Sequence, residues 1–197
     1  RSSTSVGYNL PLLGLFGEVG SLLSELKKKR RDADSYIGYS SSVLEEFGDV
    51  LWYFTNIVTR AGLNLSDLWR KLFVDIRRSG DSTIKLQSLT FDSFQAHIQH
   101  DGPVSSLKFE RGALKLGAKV GRLLGEIQEI QNQKLLLSEQ LLEILNLIVQ
   151  AAEDADISLQ VAAEENVYKT TGRWPSHRIY PTLFDTEFPA DEQLPRR

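Results

Sequence analysis

The 197-residue chain contains no cysteine, so neither a disulfide framework nor a thiolate metal site can form. This absence is typical of a reducing compartment, and we expect a cytoplasmic location. Methionine is also absent, including an initiator, which suggests a fragment or omitted residues. Histidine occurs only at His97, His100 and His177. None of them has the Glu-x-x-His spacing of a di-iron helical bundle, so that class of site is set aside.

The chain has no strong excess of charge of either sign, because 23 Lys and Arg face 26 Asp and Glu for a formal net charge of -3. This balance gives no electrostatic reason to expect a nucleic-acid or membrane-surface partner. No apolar run approaches the length of a membrane span, and the first five residues lack the apolar core of a secretory signal. We therefore expect a soluble protein with neither nucleic acid nor membrane as its partner.

Helical periodicity dominates what is present. Apolar residues recur at spacings of three and four from Leu12 to Leu26 and in several later segments, which is typical of amphipathic helices. Serines at 40–42 are N-cap candidates for the second helix, and Gly62 is a candidate for the residue that ends it. No segment predicts a strand, and the proline-rich tail from Pro175 is expected to be extended. The prediction is an all-α fold with helices over residues 12–26, 43–60, 65–78, 91–100, 107–131, 135–153 and 158–171.

Two parts of the chain match each other. The pattern Val-Gly-x-Leu-Leu-x-Glu occurs at residues 19–25 and again at 120–126, and residues 56–61 match residues 147–152. Because the matched segments keep their order, we interpret the chain as a tandem duplication, a pseudo-dimer of antiparallel helical hairpins; chance similarity between leucine-rich helices is the alternative. The predicted organisation is a first copy with an acidic site at 1–80, a linker at 81–90, a degenerate second copy at 91–175 and a tail at 176–197.

The first copy carries a concentration of carboxylates on neighbouring helices. Glu46 and Asp49 are three residues apart and so share one helix face. The preceding helix offers Glu18 and Glu25, and an antiparallel packing would aim these groups at one point. Carboxylates so close together repel unless a cation lies between them, and hard oxygen ligands suit Mg²⁺. The alternative is a pair of solvated helix faces with ordinary charge pairs.

Three segments resemble the MazG-like, all-α nucleoside triphosphate pyrophosphohydrolases, which include the dimeric dUTPase-like proteins. Residues 17–21 and 45–52 are similar to that family's Glu-x-x-Glu and Glu-x-x-Asp pattern, and residues 163–174 are similar to its closing Asn-x-x-Lys-x-x-x-Arg segment. The resemblance implies Mg²⁺ as the cofactor, with Mn²⁺ as an alternative. It also implies hydrolysis of a nucleoside triphosphate between its α and β phosphates. A homodimer is left open.

The resemblance carries over residue by residue only in part. It implies that Glu18, Glu46 and Asp49 are metal ligands, but Ser21 stands where the common pattern has a second glutamate. Glu25, or a water molecule, would then replace that ligand, so the number of metal ions is open. Glu25 and Glu45 are the candidates for the catalytic group that activates water. The candidates for substrate binding are Lys28, Trp52, Asn166, Lys169 and Arg173.

The two copies differ at the positions that matter for chemistry. Glu18 is matched by Lys119, whereas Glu46 and Asp49 are matched by Leu137 and Gln140. We therefore hypothesise one composite site, in which the first copy supplies acids and metal and the second supplies polar and basic groups for the substrate. The alternatives are a catalytically impaired scaffold or interaction protein, and a hydrolase for a different substrate such as phosphoribosyl-ATP.

Overall fold

The structure, a computed structural model, describes residues 7–79, 90–95 and 106–173. Within these ranges the chain forms helices and turns, without a strand. The all-α prediction is confirmed for this part of the chain. The helices, joined after the first by a 3-10 turn at Ala33–Ser35, are α1 (Asn9–Asp32), α2 (Tyr39–Arg60), α3 (Leu65–Ser79), α4 (Phe91–Gln95), α5 (Ser106–Ile130), α6 (Lys134–Asp154) and α7 (Leu159–Arg173).

The first helix is longer than its apolar stripe predicted. It continues to Asp32, so that Lys29, Arg30 and Arg31 form its last turn, where positive charge is favoured by the helix dipole. The prediction of a serine N-cap for α2 was wrong. The N-cap residue is Gly38 without a side-chain cap, and the serines at 40–42 lie inside the first turn.

Other predicted boundaries agree with the structure. Gly62 has a φ of +61° just after α2, a left-handed conformation in which glycine is favoured. The side chain of Asn64 accepts a hydrogen bond from the backbone N–H of Ser66 at 2.9 Å, as expected at the start of α3. The predicted linker at 81–90 lies outside the described residues except for Thr90. Residues 96–100 of the predicted fourth helix and the tail from residue 176 also lie outside them.

The helices pack as two hairpins joined side by side. Helices α1 and α2 form the first hairpin and α5 and α6 form the second, while α1 lies along α5. Each hairpin also receives a helix from the other half of the chain, because α7 packs on α2 and α3 packs on α6. Helix α7 therefore brings residues from late in the sequence to the hairpin that carries the predicted acids.

One continuous apolar core extends through both hairpins. The rings of Phe47 on α2 and Phe109 on α5 lie 6.0 Å apart between centroids, so the halves share side-chain contacts at the centre. Among the described residues, α6 is the one helix long and apolar enough to cross a membrane by composition. Half of that stretch is buried inside the structure, as is usual for the core helix of a bundle.

Candidate metal centre

Three carboxylates of the first hairpin lie together. Glu18 on α1 and Glu46 and Asp49 on α2 each place a carboxylate oxygen within 4.8 Å of the others, and all three side chains are half-buried. Their position follows from the apolar pattern, because Val19 and Phe47, the next residues in the chain, are 1% and 0% exposed. Successive residues on a helix point about 100° apart, so burying these two places the acids at the margin of the core.

Two carboxyl groups of the cluster, Glu18 and Glu46, have raised pKa values. Burial, followed by the charges of Glu18 and Asp49, raises the pKa of Glu46 from 4.5 to about 7. Burial and the charge of Asp49 also raise the pKa of Glu18, although a hydrogen bond with Glu46 opposes this. The ionised forms of Glu18 and Glu46 are thus disfavoured by burial and by neighbouring negative charge. A cation among the three carboxylates would remove much of that penalty.

Helix α7 supplies hydrogen-bond donors from the opposite side of Asp49. Asn166 donates from Nδ2 to Asp49 Oδ1 at 2.5 Å. The Nζ atom of Lys169 donates to both Asp49 oxygens, at 2.6 and 2.7 Å, and to Oε1 of Glu45 at 3.2 Å. Burial alone would lower the pKa of Lys169, but the hydrogen bond and charge of Asp49, together with Glu45, outweigh it and raise that pKa above its usual value.

The close approach of α7 depends on Gly48. A Cβ atom at this position would lie 2.7 Å from the carbonyl oxygen of Ala162 and 3.0 Å from Cβ of Asn166. Any side chain would therefore push the two helices apart. Because Asn166 lies on the contacted turn, and Lys169 one turn further along α7, the missing side chain of Gly48 allows both donors to reach Asp49.

Glu25, a candidate catalytic group, is buried and firmly held. Lys28 donates to its carboxylate at 2.5 Å, and the hydroxyl of Tyr36 donates to its other oxygen. Burial alone would raise the pKa of Glu25, but the hydrogen bonds from Lys28 and Tyr36 outweigh it and hold that pKa below its usual value. The same hydroxyl lies 3.1 Å from Oγ of Ser42. Glu25 is not part of the three-carboxylate cluster, although its charge contributes to the raised pKa of Glu46.

Glu45, the other candidate catalytic group, lies on the open side of the site. Its side chain is 61% exposed and borders a cavity between α2 and α7 that Asn166 and Lys169 also line. Tyr168, which the sequence did not single out, lines the same cavity and is 83% exposed. The cavity has a volume of about 590 Å³, which is within the range of small-molecule sites. It adjoins the cluster through Asn166 and Lys169, whereas Glu18, Glu46 and Asp49 are not among its lining residues.

The remaining residues predicted to bind substrate, Lys28, Trp52 and Arg173, differ in where they lie relative to the cluster. Lys28 is committed to Glu25, and Trp52 is half-buried one turn after Asp49 on α2. Arg173 is the last residue of α7, and its side chain lies outside the described residues.

Tyr36, near the site, escaped the sequence analysis for a physical reason. Tyr36 reaches Glu25 from the 3-10 connection after α1, and no helical periodicity relates a connection to the helix before it. The ring of Tyr53 packs over Gly14, where a Cβ atom would lie 2.2 Å away. Burial, then the charges of Glu18 and Asp49, raises the pKa of Tyr53.

The second hairpin has no equivalent cluster within the described residues. Lys119, aligned with Glu18, forms an ion pair with Glu143 across α5 and α6. Leu137, aligned with Glu46, is 2% exposed in the core. Where the first hairpin gathers negative charges, the second therefore pairs acids with bases, as in Lys119–Glu143 and Arg122–Glu126.

Comparison of the chain with protein-family models, with curated proteins and with solved structures found no match. The functional interpretation therefore rests on the geometry and electrostatics of the site, together with the sequence resemblance described above.

Proposed function

We propose that this protein is a Mg²⁺-dependent nucleotide pyrophosphohydrolase that cleaves a nucleoside triphosphate between its α and β phosphates. The observation that carries the proposal is the convergence of Glu18, Glu46 and Asp49 from two helices to within 4.8 Å. Hard divalent cations prefer such carboxylate sets and leave positions open for substrate phosphates. The reaction type comes from the resemblance of residues 17–21, 45–52 and 163–174 to the MazG-like family.

The three carboxylates fit a divalent cation electrostatically as well as by composition. Glu46, with its pKa raised to about 7, would be stabilised in its ionised form by a cation. When bound, Mg²⁺, or Mn²⁺ in its place, would contact phosphate oxygens and offset the charge that develops as the anhydride bond breaks. Asn166 already holds Asp49 in place through a 2.5 Å hydrogen bond.

We assign proton transfer to Glu45 in preference to Glu25. Glu45 is largely exposed at the cavity, whereas both oxygens of Glu25 are engaged by Lys28 and Tyr36. In the proposed step a water molecule attacks one phosphorus of the α–β anhydride, and its proton passes to the Glu45 carboxylate. The bond from that phosphorus to the bridging oxygen breaks, which gives the monophosphate and pyrophosphate. Lys169 and Arg173 would contact phosphates of the substrate.

The arrangement of helices supports a composite site in a duplicated chain. In a duplicated chain, helices α1, α2 and α3 correspond to helices α5, α6 and α7. The main contacts between helices follow this correspondence, because α7 packs on α2 in the same way that α3 packs on α6. This is the pattern expected of a pseudo-dimer whose halves exchange their third helices. In that interpretation the first copy keeps the acids, and the second copy contributes Asn166 and Lys169 to them.

Two observations favour a second candidate, a scaffold or regulatory protein without turnover. Ser21 takes the place of a glutamate of the family pattern, and Lys169 already neutralises Asp49. A protein that had lost its metal would retain an internal cation of this kind to keep the remaining acids compatible with the fold.

Release of pyrophosphate from a panel of canonical and modified nucleoside triphosphates, and from phosphoribosyl-ATP, tests the choice. We expect Mg²⁺-dependent release that stops with a chelator and falls at least 100-fold in Asp49→Asn and Glu18→Gln. Glu143→Gln, which changes an exposed acid of the second hairpin, serves as the matched control and should retain activity. An inert wild type across the panel, with Mg²⁺ or Mn²⁺, would favour the scaffold.

A further inference from the structure

The ammonium group of Lys169 lies where it competes with a cation for Asp49. Its Nζ atom is 2.6 and 2.7 Å from the two Asp49 oxygens. Oδ1 already accepts from Asn166 as well as from Lys169, but Oδ2 keeps a second lone pair, so Asp49 could in principle bind a divalent cation beside the ammonium group. Two positive charges held a few ångströms apart in a half-buried site repel strongly, however. The ammonium group and a divalent ion therefore cannot share Asp49 without a loss of affinity.

We propose that Lys169 is a tethered counter-ion that occupies Asp49 in the nucleotide-free protein and is displaced when a divalent cation binds. The released ammonium group then becomes available to a substrate phosphate. This inference deepens the proposed function and rests on it, because it describes how the same site couples its metal to its substrate.

The side chain of Lys169 has the freedom that such a displacement needs. It is 22% exposed and has a flexible four-carbon stem. Oxygen Oε1 of Glu45 lies 3.2 Å from the same nitrogen, and the Glu45 side chain is 61% exposed. The ammonium group can therefore turn from Asp49 towards Glu45 and the cavity without losing all its compensating charge.

Asn166 differs from Lys169 in this respect. It is 5% exposed, and its short side chain donates to Oδ1 of Asp49 at 2.5 Å. The neutral amide does not repel a cation, so it can stay in place while the metal binds. The two donors thus have separate roles: Asn166 orients the carboxylate, and Lys169 supplies a positive charge that can be withdrawn.

The displacement makes binding of metal and nucleotide mutually dependent. A phosphate that holds the Lys169 ammonium group removes the competitor from Asp49 and so increases the affinity for the metal. By thermodynamic linkage, the metal must increase the affinity for the nucleotide by the same factor. Without Lys169 the metal affinity would be higher in the absence of nucleotide, but this coupling would be weaker.

Binding of Mn²⁺ alone, followed by electron paramagnetic resonance, tests the inference without turnover. We expect Lys169→Met, which keeps the stem but removes the charge, to bind Mn²⁺ about 5- to 30-fold more tightly than the wild type. Lys119→Met is the matched control, since Lys119 is also an ion-paired helix lysine with a 16% exposed side chain. It should bind Mn²⁺ like the wild type. Equal or weaker binding by Lys169→Met overturns the inference.

The unmodified protein offers a test that does not depend on the folding of a variant. In ¹H–¹⁵N spectra of lysine ammonium groups, Mg²⁺ should change the Lys169 resonance and leave that of Lys119 unchanged. A Lys169 resonance that stays fixed while Mg²⁺ saturates the site contradicts the displacement.

The outcomes separate this inference from the proposed function. Tighter Mn²⁺ binding by Lys169→Met, combined with a wild type that releases no pyrophosphate, supports the counter-ion and refutes the hydrolase. Unchanged Mn²⁺ affinity in an active enzyme refutes the counter-ion alone. A wild type that neither binds Mn²⁺ nor turns over refutes both.

Discussion

Replacing Glu46 by glutamine should stabilise the metal-free protein. The pKa of Glu46 is raised from 4.5 to about 7 in the folded protein, so at pH 8 its ionised form costs the fold at most about 3 kcal/mol. Because the side chain is only half-buried, solvent screening reduces this to about 1–2 kcal/mol. Glutamine resembles the protonated acid and avoids that cost. For a chain of 197 residues the expected gain in melting temperature is about 2–8 °C.

The raised pKa of Glu46 also determines how the stability of the wild type should change with pH. Since the pKa of Glu46 is higher in the folded than in the unfolded state, the folded protein binds more protons between pH 4.5 and about 7. The wild type therefore loses stability as pH rises through this window, and Glu46→Gln lacks this contribution. Melting curves with a chelator at pH 5 and pH 8 should show a large difference between the proteins only at pH 8.

Added Mg²⁺ should reverse the order of stability. It should raise the melting temperature of the wild type more than that of Glu46→Gln, because the variant lacks one carboxylate. Glu139→Gln, an exposed change on α6, is the control and should behave like the wild type throughout. A Glu46→Gln protein that is no more stable at pH 8 than the wild type would refute the proposed repulsion among the acids.

Two further changes, at Gly48 and Tyr36, test the helix packing and the hydrogen bonding around the site. Gly48→Ala should lower the free energy of unfolding by about 1–3 kcal/mol in denaturant titrations, because its Cβ would lie 3.0 Å from that of Asn166. Gly17→Ala has open space around its Cβ and should instead stabilise α1 by up to about 1 kcal/mol; destabilisation of both proteins alike would count against the close approach. Tyr36→Phe removes a hydrogen bond that helps to hold the pKa of Glu25 low. Stability from a lowered pKa is present above pH 4.5 and lost below it, so this variant should differ from the wild type at pH 7 but much less at pH 3; an equal difference at both would contradict that origin.

The sequence predicted the acidic cluster because local periodicity carries the necessary information. Spacing by three residues places Glu46 and Asp49 on one helix face. The apolar residues beside them decide which face is buried, and an antiparallel neighbour then brings Glu18 opposite. These are short-range relations within two consecutive helices. In the structure, one carboxylate oxygen from each of the three residues lies within 4.8 Å of the other two, as these relations predict.

Contacts between distant segments were harder to predict. The structure places Asn166 and Lys169 on Asp49 across more than a hundred residues of chain, and the sequence suggested this only through the resemblance and the duplication. The hydrogen bond from Tyr36 to Glu25 was missed because it starts in a 3-10 connection. Such a connection has no periodicity from which the direction of a side chain can be read.

Gly48 adds a structural role to the acidic run at residues 45–49, beyond the charges of its carboxylates. Any pair of acids spaced by three can share a helix face, and most such pairs are solvated. A glycine directly before Asp49 adds a gap in the helix surface, into which the backbone at Ala162 fits. The same short run therefore provides both the negative charge and the space through which α7 brings Lys169 against it. A substitution at Gly48 that leaves every acid in place should consequently disturb the site as much as it disturbs the fold.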